Sequence, residues 1–244
     1  MAKVNEMMNE HTAKAFDSDL QDLTRKVSEM GGLAEREILD SIQALTRRDL
    51  DLAMRVVASD PTIDSLQHEI EEKAILTIAR RQPMAIDLRE IVAALRVSND
   101  LERIGDLAKN IGKRVTAIEG DFQPTKLLRG VEHMASLVLS QLKIVLDAYA
   151  GRDIAAAMTV WKGDEEIDAL CTSLFRELLT YMMEDPRNIT FCIHLMFCAK
   201  NIERMGDHAT NIAETVHYMV EGRPIGDQRP KGDDTTAFSK LAAP

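Results

Sequence analysis

Apolar residues recur every three or four positions along most of the chain and nowhere alternate with the period of two that a strand needs. Phe16, Leu20, Leu23, Val27, Met30, Ala34, Ile38, Ile42 and Leu45 trace the first stripe and predict a helix ending near Arg48. A second helix is predicted from about Leu50 to Arg81, where Gln82-Pro83 stops it, because proline lacks an amide donor and crowds the preceding turn. A third runs from Ala85 to about Glu119 on the stripe Leu88, Ile91, Val92, Leu95, Leu101, Ile104, Ala108 and Ile111. After the break Gly120-Asp121-Phe122-Gln123-Pro124, helices follow from about Lys126 to Ala150, Asp153 to Glu184 and Asn188 to Val220, with Asp185-Pro186 in the role of Gln82-Pro83. Turns this short make successive helices antiparallel. The expected fold is all-α: two tandem, duplicated three-helix bundles, six long helices in all, over residues 1–120 and 121–222. Beyond Gly222 the chain turns to proline, glycine and charge, which predicts a flexible, disordered C-terminal tail over 223–244 with no assigned function.

The duplication is written in the residues. Leu-Glu-Arg-Ile-Gly-Asp-Leu-Ala-Lys-Asn-Ile (101–111) and Ile-Glu-Arg-Met-Gly-Asp-His-Ala-Thr-Asn-Ile (202–212) agree at seven of eleven positions. Asp49, Ala53, Met54, Val56, Asp60, Ile63, Asp64 and Leu66 recur 104 residues later as Asp153, Ala157, Met158, Val160, Asp164, Ile167, Asp168 and Leu170. Two copies of one unit are expected to do the same thing twice.

The polar residues that repeat best are carboxylates four apart, and the hairpins set their register. Asp64 lies nineteen residues before Pro83 and Glu102 nineteen after; Asp60 and Asp106 lie twenty-three before and after. At 1.5 Å per residue all four reach one height, about 28 to 35 Å from the turn. In the second copy Asp168 and Asp164 lie eighteen and twenty-two residues before Pro186, Glu203 and Asp207 seventeen and twenty-one after it. Like charges on helices about 8–10 Å apart repel. Two kinds of compensation fit: local ion pairs from Arg103 and Arg204, or a divalent or trivalent cation, for which carboxylates on facing helices supply an all-oxygen shell. Asn110 and Asn211 continue the same face, either orienting ligands or as plain polar surface. Gly105 and Gly206, costly inside helices, point to close approach of a neighbouring helix or of a metal cluster.

The remaining candidates carry less. Ferritin-like di-iron enzymes need Glu-x-x-His on each of two helices. This chain has one, Glu214 to His217, against Lys113 to Thr116 in the first copy, so a metal-dependent, carboxylate-bridged enzyme of ferritin-like type is the alternative reading. His68, His208 and His217 are expected at the surface. No nucleophile with a base, phosphate-cradling glycine loop or dinucleotide fingerprint occurs, and no catalytic residue is expected. Cys171, Cys192 and Cys198 make no Cys-x-x-Cys pair and are expected as core residues in a reducing compartment. A net charge of −10 argues against nucleic acid as a partner. No secretory signal and no apolar run of about 20 residues appears, which predicts a cytoplasmic location.

The doubled Glu-Arg-[Ile/Met]-Gly-Asp-x-Ala-x-Asn-Ile, preceded by Arg81-Gln-Pro-Met-Ala-Ile-Asp-Leu-Arg-Glu-Ile91 in the first copy, resembles the PhoU family of phosphate-specific transport accessory proteins over residues 10–222. The resemblance implies a non-enzymatic, cytoplasmic negative regulator of the phosphate regulon and of phosphate uptake, often a homodimer. It implies partners in the Pst phosphate ABC transporter, at its ATPase subunit, and in the sensor histidine kinase PhoR, with membrane association only through them. Members of the family carry iron, zinc, manganese or magnesium at paired acidic motifs. The matching positions are Asp60, Asp64, Glu102 and Asp106, and Asp164, Asp168, Glu203 and Asp207. The copies depart from each other at Asn99-Asp100 against Lys200-Asn201, so their sites are expected to differ in charge.

Overall fold

The computed structural model describes residues 2–118, 125–226 and 229, with only the backbone for residues 2–15, 60 and 125. It is helical throughout its regular parts: α1 (Ala2–Arg47), α2 (Leu50–Arg81), α3 (Ile86–Ala117), α4 (Thr125–Gly151), α5 (Ile154–Glu184) and α6 (Ile189–Glu221), with one 3-10 turn at Pro186–Asn188. The all-α, six-helix expectation holds. α1 starts well before Phe16, in a stretch of good helix formers without an apolar stripe, where periodicity gives no signal. The expected break at 120–124 lies outside the described residues.

Local chemistry explains the helix ends, and it too is duplicated. Asp49 caps α2 by accepting from the Leu52 amide at 2.8 Å, and Asp153 caps α5 by accepting from Ala156 at 3.1 Å. The residue before each cap, Arg48 and Arg152, turns the chain through the left-handed region, at φ 53° and 54°. Gln82 ends α2 in the same region, and Pro83 behind it forbids a further turn. α2 runs unbroken through Pro61, whose missing donor leaves one backbone carbonyl without its helical partner.

Within each half the second and third helices pair in the predicted register. The Cβ that Gly105 lacks would lie 2.9 Å from Cδ1 of Ile63, and that of Gly206 would lie 3.0 Å from Cδ1 of Ile167. Both glycines therefore serve close helix packing against equivalent isoleucines. The halves join through α3 and α6, which run antiparallel. The Arg96 guanidinium lies 5.1 Å from the Tyr218 ring, His208 meets Asp100 at 2.8 Å midway, and the Arg114 guanidinium lies 4.2 Å from the Phe197 ring. α1 also packs on α4. One apolar cluster runs through all six helices, including Ile38, Ile70, Leu101, Leu142, Trp161 and Leu195. Cys171, Cys192 and Cys198 are buried within it as free thiols, and burial pushes Cys171 and Cys198 up to about 12, which keeps them protonated and unreactive.

Candidate functional site

The first cluster is built by α2 and α3. Asp64 and Asp106 are partly exposed, and Glu102 lies between them, with its side chain 15% exposed. Burial raises the Glu102 pKa above the ordinary carboxyl range; Arg103 opposes this, and the negative charges of Asp106 and Asp64 reinforce it. That repulsion is what the hairpin register predicts. Relief comes from α3 itself: Arg103 reaches Glu102 at 3.3 Å and Asp106 at 3.4 Å, and Lys109 reaches Asp106 at 3.5 Å. The Arg103 contact to Glu102 Oε2 lacks hydrogen-bond alignment, so that buried oxygen has charge nearby but no donor. Asp60 sits on the α2 backbone one turn before Asp64; its side chain is outside the described residues.

The second cluster, from α5 and α6, is deeper. Asp164, Asp168 and Glu203 are all buried, Asp164 to 2% exposure, and Asp207 is half-buried. Burial raises the Glu203 pKa; Lys200, bonded to its Oε1 at 2.7 Å, opposes the rise, and the charges of Asp207 and Asp168 add to it. Oε2 of Glu203 is buried without a hydrogen-bond donor among the described residues. Asp164 accepts from the Thr210 hydroxyl at 3.1 Å. Its main partner comes from beyond α6. The Arg229 guanidinium grips Asp164 with Nε at 2.8 Å and Nη2 at 2.9 Å, while Nη2 also reaches Asp207 at 2.6 Å. Burial works against this charge, but the bonds and charges of Asp164 and Asp207 outweigh it and raise the Arg229 pKa. Of the stretch expected to be a disordered tail, residues 223–226 and 229 are thus described; residues 227, 228 and 230–244 lie outside the described residues.

Sequence reading anticipated where the seven described carboxylates lie, the Asp60 side chain being outside the described residues, but not their partners. Arg103 acts as expected, whereas Arg204 is exposed and makes no ion pair among the described residues; Lys200 and Arg229 stand in its place. Asp100 does not join the first cluster. It points across the seam to α6, where the His208 Nδ1–H donates to it at 2.8 Å and Asn211 donates at 3.4 Å. His208, expected at the surface, is drawn into this seam with its side chain 17% exposed. The only hint was the difference between Asn99-Asp100 and Lys200-Asn201. His68 is exposed as expected, and the Glu-x-x-His residues serve packing, Glu214 accepting from the Trp161 indole at 3.1 Å and His217 donating to the Arg223 carbonyl at 3.2 Å.

Among the described residues no three His, Cys, Asp or Glu side chains converge tightly enough to hold an ion as they stand. The donor set nevertheless suits a hard cation. It consists of carboxylate oxygens from facing helices and, in each cluster, one buried glutamate oxygen without a donor among the described residues, and in the second cluster a guanidinium already stands where positive charge is wanted.

Comparison with known proteins agrees with the duplicated architecture. The family model described as PhoU domain matches residues 27–115 and 131–216. The phosphate-specific transport system accessory protein PhoU homolog of Rhizobium meliloti (strain 1021) is 57% identical over 235 residues, spanning 96% of this chain and 99% of that one. Its counterpart in Caulobacter vibrioides (strain NA1000 / CB15N) is 53% identical over 226 residues, 93% of this chain and 98% of its own. The crystal structure of PhoU from Pseudomonas aeruginosa superposes with a TM-score of 0.80 at 36% identity, covering 85% of this chain and all of that one. The phosphate transport system regulatory protein PhoU of Streptococcus pneumoniae gives 0.81 at 25% identity over 87% of this chain. With its family model matched twice in tandem and such relatives along nearly its whole length, the chain belongs to the PhoU family.

Proposed function

We propose that this chain is an accessory protein of a phosphate-specific transport system, restraining phosphate uptake and the phosphate regulon when phosphate is plentiful. The observation that carries this reading is 57% identity, along almost the full length of both chains, to a relative named as a phosphate-specific transport system accessory protein. The physical case is one of docking. The two carboxylate-bearing hairpins repeat on one rigid scaffold, and such a scaffold offers two similar surfaces for two partners at once. The partners are the ATPase subunit of the Pst transporter and the PhoR sensor kinase, reached at the cytoplasmic side of the membrane by a homodimer. No described helix is long and apolar enough to cross a membrane.

The clusters add cation binding to the reading. Asp64, Glu102 and Asp106, with Asp60, would hold one ion or cluster of ions, and Asp164, Asp168, Glu203 and Asp207 the other. A bound cation would offset the burial, and with it the like charges, that raise Glu102 and Glu203, tying α2 to α3 and α5 to α6. The test is phosphate uptake and regulon transcription in cells lacking the chain, with and without its re-expression, beside co-purification with the two partners. Derepressed uptake under phosphate excess, restored by the chain, is the expected result. Uptake indifferent to the chain would overturn the proposal.

A further inference from the structure

We propose that Arg229 is a resident cation of the second carboxylate cluster, so that its seating and the binding of a divalent metal ion there exclude each other. The idea rests on the reading that these clusters hold cations, and it adds a regulator that, among the described residues, the second cluster alone possesses.

The geometry is that of a built contact. Nε and Nη2 take the two oxygens of Asp164 at 2.8 and 2.9 Å, the forked pairing that a guanidinium makes with a carboxylate. Nη2 bridges on to Asp207 at 2.6 Å, thereby linking a carboxylate of α5 to one of α6. Nη1 reaches Oδ1 of Asn211 at 3.5 Å, and the Asn211 amide donates onward to Asp100. The Arg229 and Asp164 side chains are only 18% and 3% exposed. A metal ion bridging Asp164 and Asp207 would need the same oxygens. It would also find Glu203 Oε2 buried beside it and still lacking a donor.

Among the described residues the first cluster has no counterpart to this. Its cations, Arg103 and Lys109, come from α3 at 3.3 to 3.5 Å, and Arg103 is more than half exposed. The equivalent of Lys109 in the second copy is Thr210, whose short side chain donates to Asp164 and leaves the positive charge to be supplied from elsewhere. Competition for shared oxygens is reciprocal: a cation that enters the second cluster frees Arg229, and a seated Arg229 weakens the cation. Metal occupancy of the second cluster would thus be reported at the chain beyond α6, while occupancy of the first would not.

The test uses the full chain, stripped of metal by chelation and titrated with Mn²⁺ while free ion is counted by electron paramagnetic resonance. The native chain is expected to show one stronger and one weaker class of site. In Arg229→Ala the weaker class should tighten about tenfold, roughly 1.4 kcal/mol. An Asp64→Asn, Glu102→Gln background isolates the second cluster and should show the same gain. The mirror background, Asp168→Asn with Glu203→Gln, should show none, and circular dichroism confirms folding of each variant. Equal Mn²⁺ affinity with and without Arg229 overturns the competition alone. No Mn²⁺ uptake at the second cluster in either protein overturns both the competition and the cation-binding reading beneath it.

Discussion

In the first half of the molecule the acidic residues are neutralised from their own helix: Arg103 and Lys109 lie within one turn of Asp106 on α3. In the second half the same motif is buried more deeply and is neutralised by Lys200, one turn before Glu203, and by Arg229, beyond the end of α6. The two motifs match at seven of eleven positions, including every carboxylate and glycine in them. The difference comes from what surrounds them. Asn99 in one copy is Lys200 in the other, and Lys109 is Thr210. Duplication therefore preserved the negative charge and the packing glycine, while the source of positive charge diverged. A local, exposed ion pair contributes little to stability, whereas a buried bidentate one makes its partners interdependent.

The largest effect is expected where the copies are alike. Gly105→Val and Gly206→Val would each drive a side chain into Ile63 or Ile167 and destabilise by about 2–3 kcal/mol, read from urea midpoints. Similar losses are expected in both halves; a neutral substitution in either would show that the glycine is not needed for helix approach. The copies separate at the next step. In chelator, Asp164→Asn should cost about 2 kcal/mol, because the buried Arg229 guanidinium loses its negative partner and one of its two paired oxygens, while Asp64→Asn should change stability by less than about 0.5 kcal/mol. Equal costs would erase the distinction between a deep and a shallow cluster.

A smaller effect has the opposite sign. Because burial raises the Glu203 pKa, its folded form holds a proton more tightly than the unfolded chain does. Its ionisation therefore works against folding: the penalty is absent below the ordinary value of 4.5 and complete once pH passes the raised folded value. Glu203→Gln should stabilise the metal-free protein at neutral pH and flatten its stability profile just above pH 4.5. Glu102→Gln should do the same more weakly, since that side chain is more exposed and the penalty is correspondingly screened. Thermal melts across pH in chelator check both, and a steeper profile in either variant would reverse the sign argued here. Mn²⁺ affinity should fall on acidification through the same window, because the cation needs the ionised form.

Most of the fold is determined by the sequence alone. Helix formation and its ends depend on residues within a few positions of one another. The 3.6-residue stripe, the Asp49 and Asp153 caps and the Pro83 and Pro186 stops are therefore all readable locally. The register of the carboxylates was also legible, since equal counts on either side of a short turn fix equal heights in an antiparallel pair. What joins distant segments was decided only by the tertiary structure. Asp100 and His208 are 108 residues apart and meet because α3 and α6 pack side by side, antiparallel, where the two halves join. Arg229 looked like one more charge in a proline- and glycine-rich stretch, and nothing within a few residues of it names Asp164, 65 positions away. Charge compensation acts through space and accepts any cation that can reach, so its source follows from packing, whereas the need for it was already written in the paired carboxylates.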